Sequence, residues 1–397
     1  MLRRLLVAAL FIIISDTLSA QNDEVSVINT DTLTYRYTPL NSHTPTQRFN
    51  DLSEALESYM TEGIATSRPV RFSVIGGPGY SADTGLRLAV VGNVRYKSYG
   101  VETLSHLLSM RVMASLKGCY GVDLMGVNYI VNSRNRLSYK AEFSYMPTLL
   151  YGLDYDTSAT GIAGSYTSTR YVAKVRYERR LGRIFDVGVC VDYIYEDARE
   201  MDDRASEIVG DKESLYSGAG IGLSFGIKGS RRLAVNVVQG VDVTLEAVMR
   251  PKFMGNVVGD LWQLSCSVDW YQPLWRGGLL ALDLYGEYHS EGTPWMLRSR
   301  LGNDSRMRGY YPGRYNGNAL ITTQLELRQH VWEGLVAAVW GGVGSAFSSG
   351  EELSWRKLLP SYGVGIRWYM SPDMAIRIDA GFGRGCYNFV VGLNEAF

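Results

Sequence analysis

The chain has 397 residues, 46% hydrophobic and 20% charged, and its Lys+Arg 40 against Asp+Glu 40 leave a formal net charge of zero. Zero net charge removes the electrostatic argument for a nucleic-acid or other polyanionic partner. No interior segment approaches the ~18 uncharged apolar residues of a spanning helix, whereas Gly 43 and Tyr 27 suit curved strands and aromatic belts at two membrane interfaces better than an ordinary enzyme.

Residues 1–20 carry Arg3 and Arg4, an apolar run from Leu5 to Ile14, and Leu18, Ser19 and Ala20 before Gln21, which reads as a cleaved secretory signal. A retained membrane anchor fits less well, because the apolar run is short and no cysteine follows it. Residues 21–69 form a polar segment, assigned to the periplasm, with one patterned piece. There Asn50 or Asp51 caps a short helix with Leu52, Leu56, Tyr59 and Met60 on one side, ending near Gly63. An unanchored linker is the equal alternative for this stretch.

From residue 70 to the C-terminus about sixteen alternating segments of roughly ten residues follow, the length a tilted membrane strand needs. The expected fold is therefore all-β: one transmembrane antiparallel β-barrel over 70–397 with an inward-folded extracellular loop. Asn132 to Asn135, Ser230 to Arg232 and Ser371 to Asp373 read as short turns at one rim. Ala198 to Ser214, Gly292 to Gly317 and Ser348 to Leu358 read as long loops at the other. The strand near Arg71 to Gly76 reads as short, because Gly77, Pro78 and Gly79 follow and proline cannot donate a ladder hydrogen bond.

Phe185, Val187, Val189, Val191 and Tyr193 alternate with Asp186, Gly188, Cys190 and Asp192. An outward Arg or Lys at the bilayer midplane costs about 2 to 4 kcal/mol, so charge belongs to the lumen side. Gly222, Leu223, Ser224, Phe225 and Gly226 match the G-x-S-x-G elbow of hydrolases, which needs a sharp turn from strand to helix. Here Ile221, Leu223, Phe225 and Ile227 alternate with Gly218, Gly220, Gly222, Ser224 and Gly226 as a single strand, so the small residues read as a smooth lumen patch. Cys119, Cys190, Cys266 and Cys386 are far apart, and His43, His106, His289 and His330 show no metal or triad spacing. No catalytic residue, cofactor or metal is expected.

In the stretch from Leu301 to Phe347 a polar loop carries an Arg-Gly-Tyr turn and leads into a strand. Ala319, Ile321, Thr323, Leu325 and Leu327 share one face of it, and Gln324, Glu326, Arg328 and His330 the other. Arg308, folded into the barrel, is expected to pair with inward Glu326, because a charge removed from water persists only with a partner. Tyr310, Tyr311 and Tyr315 read equally well as plain packing aromatics of the loop. Tyr387, Phe389, Val391, Leu393 and Phe397 form the last apolar column, which Glu395 breaks.

These residues resemble the BamA/TamA superfamily of outer-membrane assembly and translocation barrels. The family's loop motif falls on Met307, Arg308, Gly309 and Tyr310, and its strand acid on Glu326. Gly79, Tyr80, Ser81 and Gly85 are similar to its first hairpin, and Gly363 to Arg367 and Arg377 to Asp379 to its closing strands. Phe389, Val391, Leu393 and Phe397 resemble its C-terminal assembly signal. Where the family offers Phe-x-Asp-x-Gly this chain reads Trp340, Gly341, Gly342, Val343, Gly344, so a second acidic partner for the loop arginine is expected to be missing and the lock weakened. Periplasmic POTRA domains need on the order of 75 residues each, more than residues 21–69 supply, so the resemblance is to a short branch lacking them.

The resemblance implies a bacterial outer-membrane barrel that is not an enzyme. It would aid insertion or translocation of proteins or lipids through a lateral seam between first and last strands. Its surroundings would be outer-membrane lipid and its clients unfolded outer-membrane proteins or lipids, with a homodimer or partner lipoproteins left open. A passive or loop-gated pore, or a structural barrel without insertase activity, is the competing expectation, and a phospholipase using Ser224 a weaker third. On any of these readings the Arg308–Glu326 pair serves either as a structural latch or as a control on the lumen.

Overall fold

The computed structural model describes residues 70–81, 85–97, 105–130, 134–233, 236–332, 334–348, 354–371, 374–393 and 395–397. The signal segment and the helix expected near residues 50–63 lie outside the described residues. Among the described residues sixteen long strands make the cylinder, and three strands of three residues each accompany them. In chain order the first eight are β1 (Val70–Ser81), β2 (Gly85–Lys97), β3 (Ser105–Ser115), β4 (Tyr120–Ile130), β5 (Asn135–Leu150), β6 (Gly164–Leu181), β7 (Phe185–Arg199) and β8 (Leu215–Lys228). Then come β9 (Arg231–Leu233), β10 (Asn236–Arg250), β11 (Leu261–Trp275), β12 (Gly278–His289), β13 (Ser299–Leu301) and β14 (Tyr315–Gly317). The last five are β15 (Ala319–Trp332), β16 (Leu335–Phe347), β17 (Leu359–Ser371), β18 (Met374–Gly383) and β19 (Cys386–Leu393).

Each long strand pairs antiparallel with the next long strand in sequence. Short β9 pairs with the first residues of β10, and β13 pairs with β14 inside the longest loop. β1 and β19 come to lie side by side, which closes the meander. Turns of a few residues, such as 182–184 and 276–277, occupy one rim, while 200–214, 251–260 and 290–318 occupy the other. The long loops are structured: α1 (Tyr155–Ala159) and α2 (Asp203–Val209) start at Asp154 and Asp202, whose carboxylates accept the backbone N–H of Thr157 and Ala205.

The alternation sorts as the period of two requires. On β7 the outward residues Phe185 through Tyr193 are exposed, and Asp186, Cys190 and Asp192 are buried toward the lumen. β8 runs without interruption through the G-x-S-x-G match, with Leu223 65% exposed outward and Ser224 7% exposed inward, so no nucleophile elbow exists there. A band of exposed Val, Leu, Ile and aromatic side chains around a polar interior has one stable setting, lipid outside. Leu223→Lys is accordingly expected to lower stability in lipid vesicles by about 2 to 4 kcal/mol. Leu223→Ala should lose clearly less, and equal losses would show that Leu223 does not face lipid.

Two sequence expectations change here. β1 does not stop before Gly77: it runs to Ser81 and pairs in register throughout, Pro78 opposite Leu88. Proline is tolerated because β1 is an edge strand with a ladder on one side, where a missing N–H can face away from the partner. The last apolar column also ends early. Tyr387, Phe389 and Val391 are outward, but residues 395–397 leave the column: Glu395 meets Arg367 and Arg328 in the lumen, and Phe397 packs beside Val237, Tyr271 and Ala281.

Candidate functional site

The loop between β12 and β15 folds into the barrel from the long-loop rim. Its stem is the β13–β14 pair, and its tip is tied by Asn303, whose Oδ1 accepts the N–H of Ser305 at 2.8 Å and of Arg306 at 2.7 Å. Met307 sits at φ 53°, the left-handed region, where a side chain costs about 1 to 2 kcal/mol. The contacts around it offset that cost. Its N–H donates to Gln324 Oε1 at 3.2 Å, and its buried side chain packs with Leu301, Tyr310, Tyr315, Leu320 and Leu359. The turn thus aims the next residue, Arg308, at the wall.

Arg308 is fully buried. Its Nη2 donates to Glu326 Oε2 on β15 at 2.5 Å, its Nη1 to Asp379 Oδ2 on β18 at 2.8 Å, and its guanidinium lies 3.7 Å from the centre of the Trp340 ring on β16. The expected loss of the second acid is therefore corrected. Asp379 supplies it from another strand, and the position where the resembled family offers an acid is flanked by an indole face that takes the cation. Register explains the difference: Trp340 sits opposite Glu326 on β15 and Gly363 on β17, so its ring covers the space between loop and wall.

The two carboxylates are shared. Glu326 Oε1 also accepts from Arg328 Nε at 2.8 Å and from Arg367 Nη2 at 3.1 Å. Asp379 also accepts from Arg367 Nη1 at 2.5 Å and from Arg377 Nη1 at 2.9 Å. Glu395 in the tail adds a third carboxylate, held by Arg367 Nε at 3.2 Å, by Arg328 and by the Tyr369 hydroxyl. The tail backbone joins too, the Phe397 carbonyl accepting from Arg328 Nη2 at 3.2 Å. Among the described residues the cluster holds four guanidinium groups and three carboxylates. Three of those guanidinium groups belong to the wall and one, Arg308, to the loop.

Gly309 is what lets the loop reach this depth. A Cβ there would stand 2.3 Å from the Phe382 carbonyl carbon, and the facing Gly381 would place its own 2.8 Å from the Arg308 backbone. Tyr310 closes the site: its hydroxyl donates to the Pro360 carbonyl at 2.8 Å and accepts the N–H of Arg384 at 2.9 Å. Tyr311 accepts the N–H of Leu149 and Tyr315 packs in the buried cluster. A second anchor was not foreseen: Arg306 binds Asp283 on β12 with Nε and Nη2, at 2.8 and 2.7 Å, and lies over Tyr285. The four cysteines are free thiols.

No protein-family model matches the chain, and no curated protein matches it in sequence. Among solved structures the chain is similar to BamA from Haemophilus ducreyi lacking POTRA domains 1-3, at 12% identity and a TM-score of 0.56 over 81% of this chain and 70% of that one. It is likewise similar to CdiB from Escherichia coli, at 12% identity and a TM-score of 0.56 over 82% of this chain and 62% of that one. CdiB from Acinetobacter baumannii gives 13% and 0.53 over 82% and 59%. The chain therefore spans less than two thirds of either CdiB chain, and it has the BamA-like barrel fold seen in these outer-membrane proteins.

Proposed function

We propose that this barrel resides in a bacterial outer membrane and aids the insertion or translocation of proteins or lipids, through a lateral seam between β1 and β19. The observation that carries this reading is a difference in pairing. Every other pair of neighbouring long strands has a registered ladder, while β1 and β19 lie alongside each other with none among the described residues. An unpaired edge at membrane depth is costly in lipid and ready to accept another strand, which is the property an insertion site needs. The tail supports the same reading: β19 is followed at once by Glu395 and Phe397, both held in the lumen by Arg328, so the seam strand and the seated loop share one ion-pair cluster. The barrel acts without catalysis on this reading, consistent with Ser224 lying mid-strand.

A cystine across β1 and β19 tests it, built at facing positions after Cys119, Cys190, Cys266 and Cys386 have been replaced. Vesicles carrying the oxidised barrel should fail to assemble an unfolded outer-membrane protein client, and reduction should restore assembly. Undiminished assembly with the seam locked would rule the mechanism out. The loop-gated pore remains the second reading because the loop occupies the lumen.

A further inference from the structure

A groove of about 640 Å³ opens on the outward side of the barrel at the long-loop rim, across β5, β6 and β7. Its floor follows from the sequence. Thr167 and Thr169 share the outward parity of Tyr171 on β6, and register sets Thr169 between Tyr145 of β5 and Asp197 of β7, with Thr167 opposite Arg199. Two short side chains between longer ones leave a hollow in an otherwise convex wall. Tyr171, Tyr193 and Tyr195 flank its lower part, and toward the short-turn rim the outward wall becomes aliphatic, with Val175, Val189 and Val191 exposed. Neighbours hold the rings in place. Tyr145 stacks on Tyr120 at 4.9 Å between centroids, Tyr195 stands edge-on to Tyr171 at 5.6 Å, and the Tyr193 hydroxyl lies 2.9 Å from Ser217 Oγ.

The upper part of the groove is polar. Arg199 Nε donates to Asp197 Oδ2 at 2.6 Å, the Tyr195 hydroxyl donates to the same oxygen at 3.3 Å, and Thr167 Oγ1 donates to Glu200 Oε2 at 2.8 Å. Two carboxylates against one guanidinium leave the lining short of positive charge, so an anionic headgroup meets repulsion there rather than a cradle. A carboxylate offers about four lone-pair sites, and these contacts fall on one oxygen of each acid. The groove therefore combines acceptors, hydroxyl and guanidinium donors, and aromatic rings. A sugar fits that mixture. Its hydroxyls both donate and accept, and its C–H groups suit the negative face of an aromatic ring. The exposed valines beside the tyrosines supply the other half of the ligand, since they face acyl chains in the bilayer.

We infer that this groove binds the sugar headgroup of a membrane glycolipid, whose acyl chains run along the outward faces of β6 and β7. The inference does not depend on whether the barrel inserts clients. The full-length barrel tests it when extracted from vesicles of glucosyl diacylglycerol, phosphatidylglycerol and phosphatidylcholine in equal parts with identical chains. Native mass spectrometry then counts the lipid that stays bound. The glucosyl lipid should outnumber each phospholipid about tenfold, which corresponds to about 1.4 kcal/mol, roughly one hydrogen bond to a charged group. Glu200→Ala removes an acceptor at an exposed position, and Tyr193→Leu removes a ring while keeping an apolar outward side chain. Each should lower the preference at least about threefold in a barrel that circular dichroism shows to be folded. Equal retention of the three lipids would mean that the groove only packs acyl chains, and a preference for phosphatidylglycerol that Arg199 takes a phosphate; either result overturns the proposal. So does a glucosyl preference that neither substitution lowers.

Discussion

Replacing Glu326 by alanine should lower barrel stability by about 3 to 5 kcal/mol, the cost of stripping one side from a buried ion pair. Arg308→Ala should cost no more than about 1.5 to 3 kcal/mol, the worth of a charge-assisted hydrogen bond. The asymmetry follows from the charges. With Arg308 gone, Arg328, Arg367 and Arg377 still balance Glu326, Asp379 and Glu395, and both carboxylates that held Arg308 keep a partner. With Glu326 gone, Arg308, Arg328 and Arg367 each lose an oxygen, and four cations face two acids in a site without water access. The wall is therefore self-sufficient and the loop is a guest, an arrangement suited to a plug that leaves and returns. Urea titration in vesicles, followed by tryptophan fluorescence, measures both variants. Equal losses, or a larger loss for Arg308→Ala, would mean that the wall needs the loop to hold its charges and that the arginine is only a structural latch. The same Arg308→Ala barrel separates the two functional readings: a large steady current in planar bilayers with normal client assembly favours the pore, and impaired assembly at normal conductance favours the insertase.

Much of this was legible because a strand writes its facing into the sequence with period two. The parity of Glu326, of Asp186 and Asp192, and of the glycines around Ser224 could be read from residue order alone, and so could the number of long strands, though not the length of each. What stayed hidden was height and distance around the cylinder. Asp379 is 53 residues from Glu326, and only the accumulated register through β16 and β17 brings both to the level of Arg308. No local pattern encodes that sum. A weaker signal existed in the small inward residues Gly363, Gly381 and Gly383, which line the strip of wall where the loop and the Trp340 ring press. The tail was misread for a related reason: alternation carries Phe397 outward on paper, but Glu395 must find a cation, and Arg367 and Arg328 are inside. The proline of β1 was overweighted, since its penalty applies to a strand laddered on both sides.

Gly309→Val should unseat the loop while leaving the barrel folded. The added Cβ would meet the Phe382 carbonyl carbon at 2.3 Å and its oxygen at 2.4 Å, against about 3.5 to 4.0 Å for carbon atoms in ordinary contact. One side must retreat by more than about 1 Å. β18 cannot, because it is laddered to β17 and β19 along its length, so the loop does. A shift of that size breaks the bonds of Arg308 to Glu326 and Asp379, which stand at 2.5 and 2.8 Å, and moves its guanidinium off Trp340. The expected phenotype is a rise in steady conductance and rapid proteolysis within residues 302–314, with a loss of fold stability smaller than that of Glu326→Ala. Because valine alters no charge, this variant isolates the seating of the loop from the electrostatics of the lumen. A Gly309→Val barrel with unchanged conductance and a protected loop would show that the tip does not depend on backbone contact with β18. In that case the ion pairs alone, rather than the paired glycines at 309 and 381, would have to hold the loop inside.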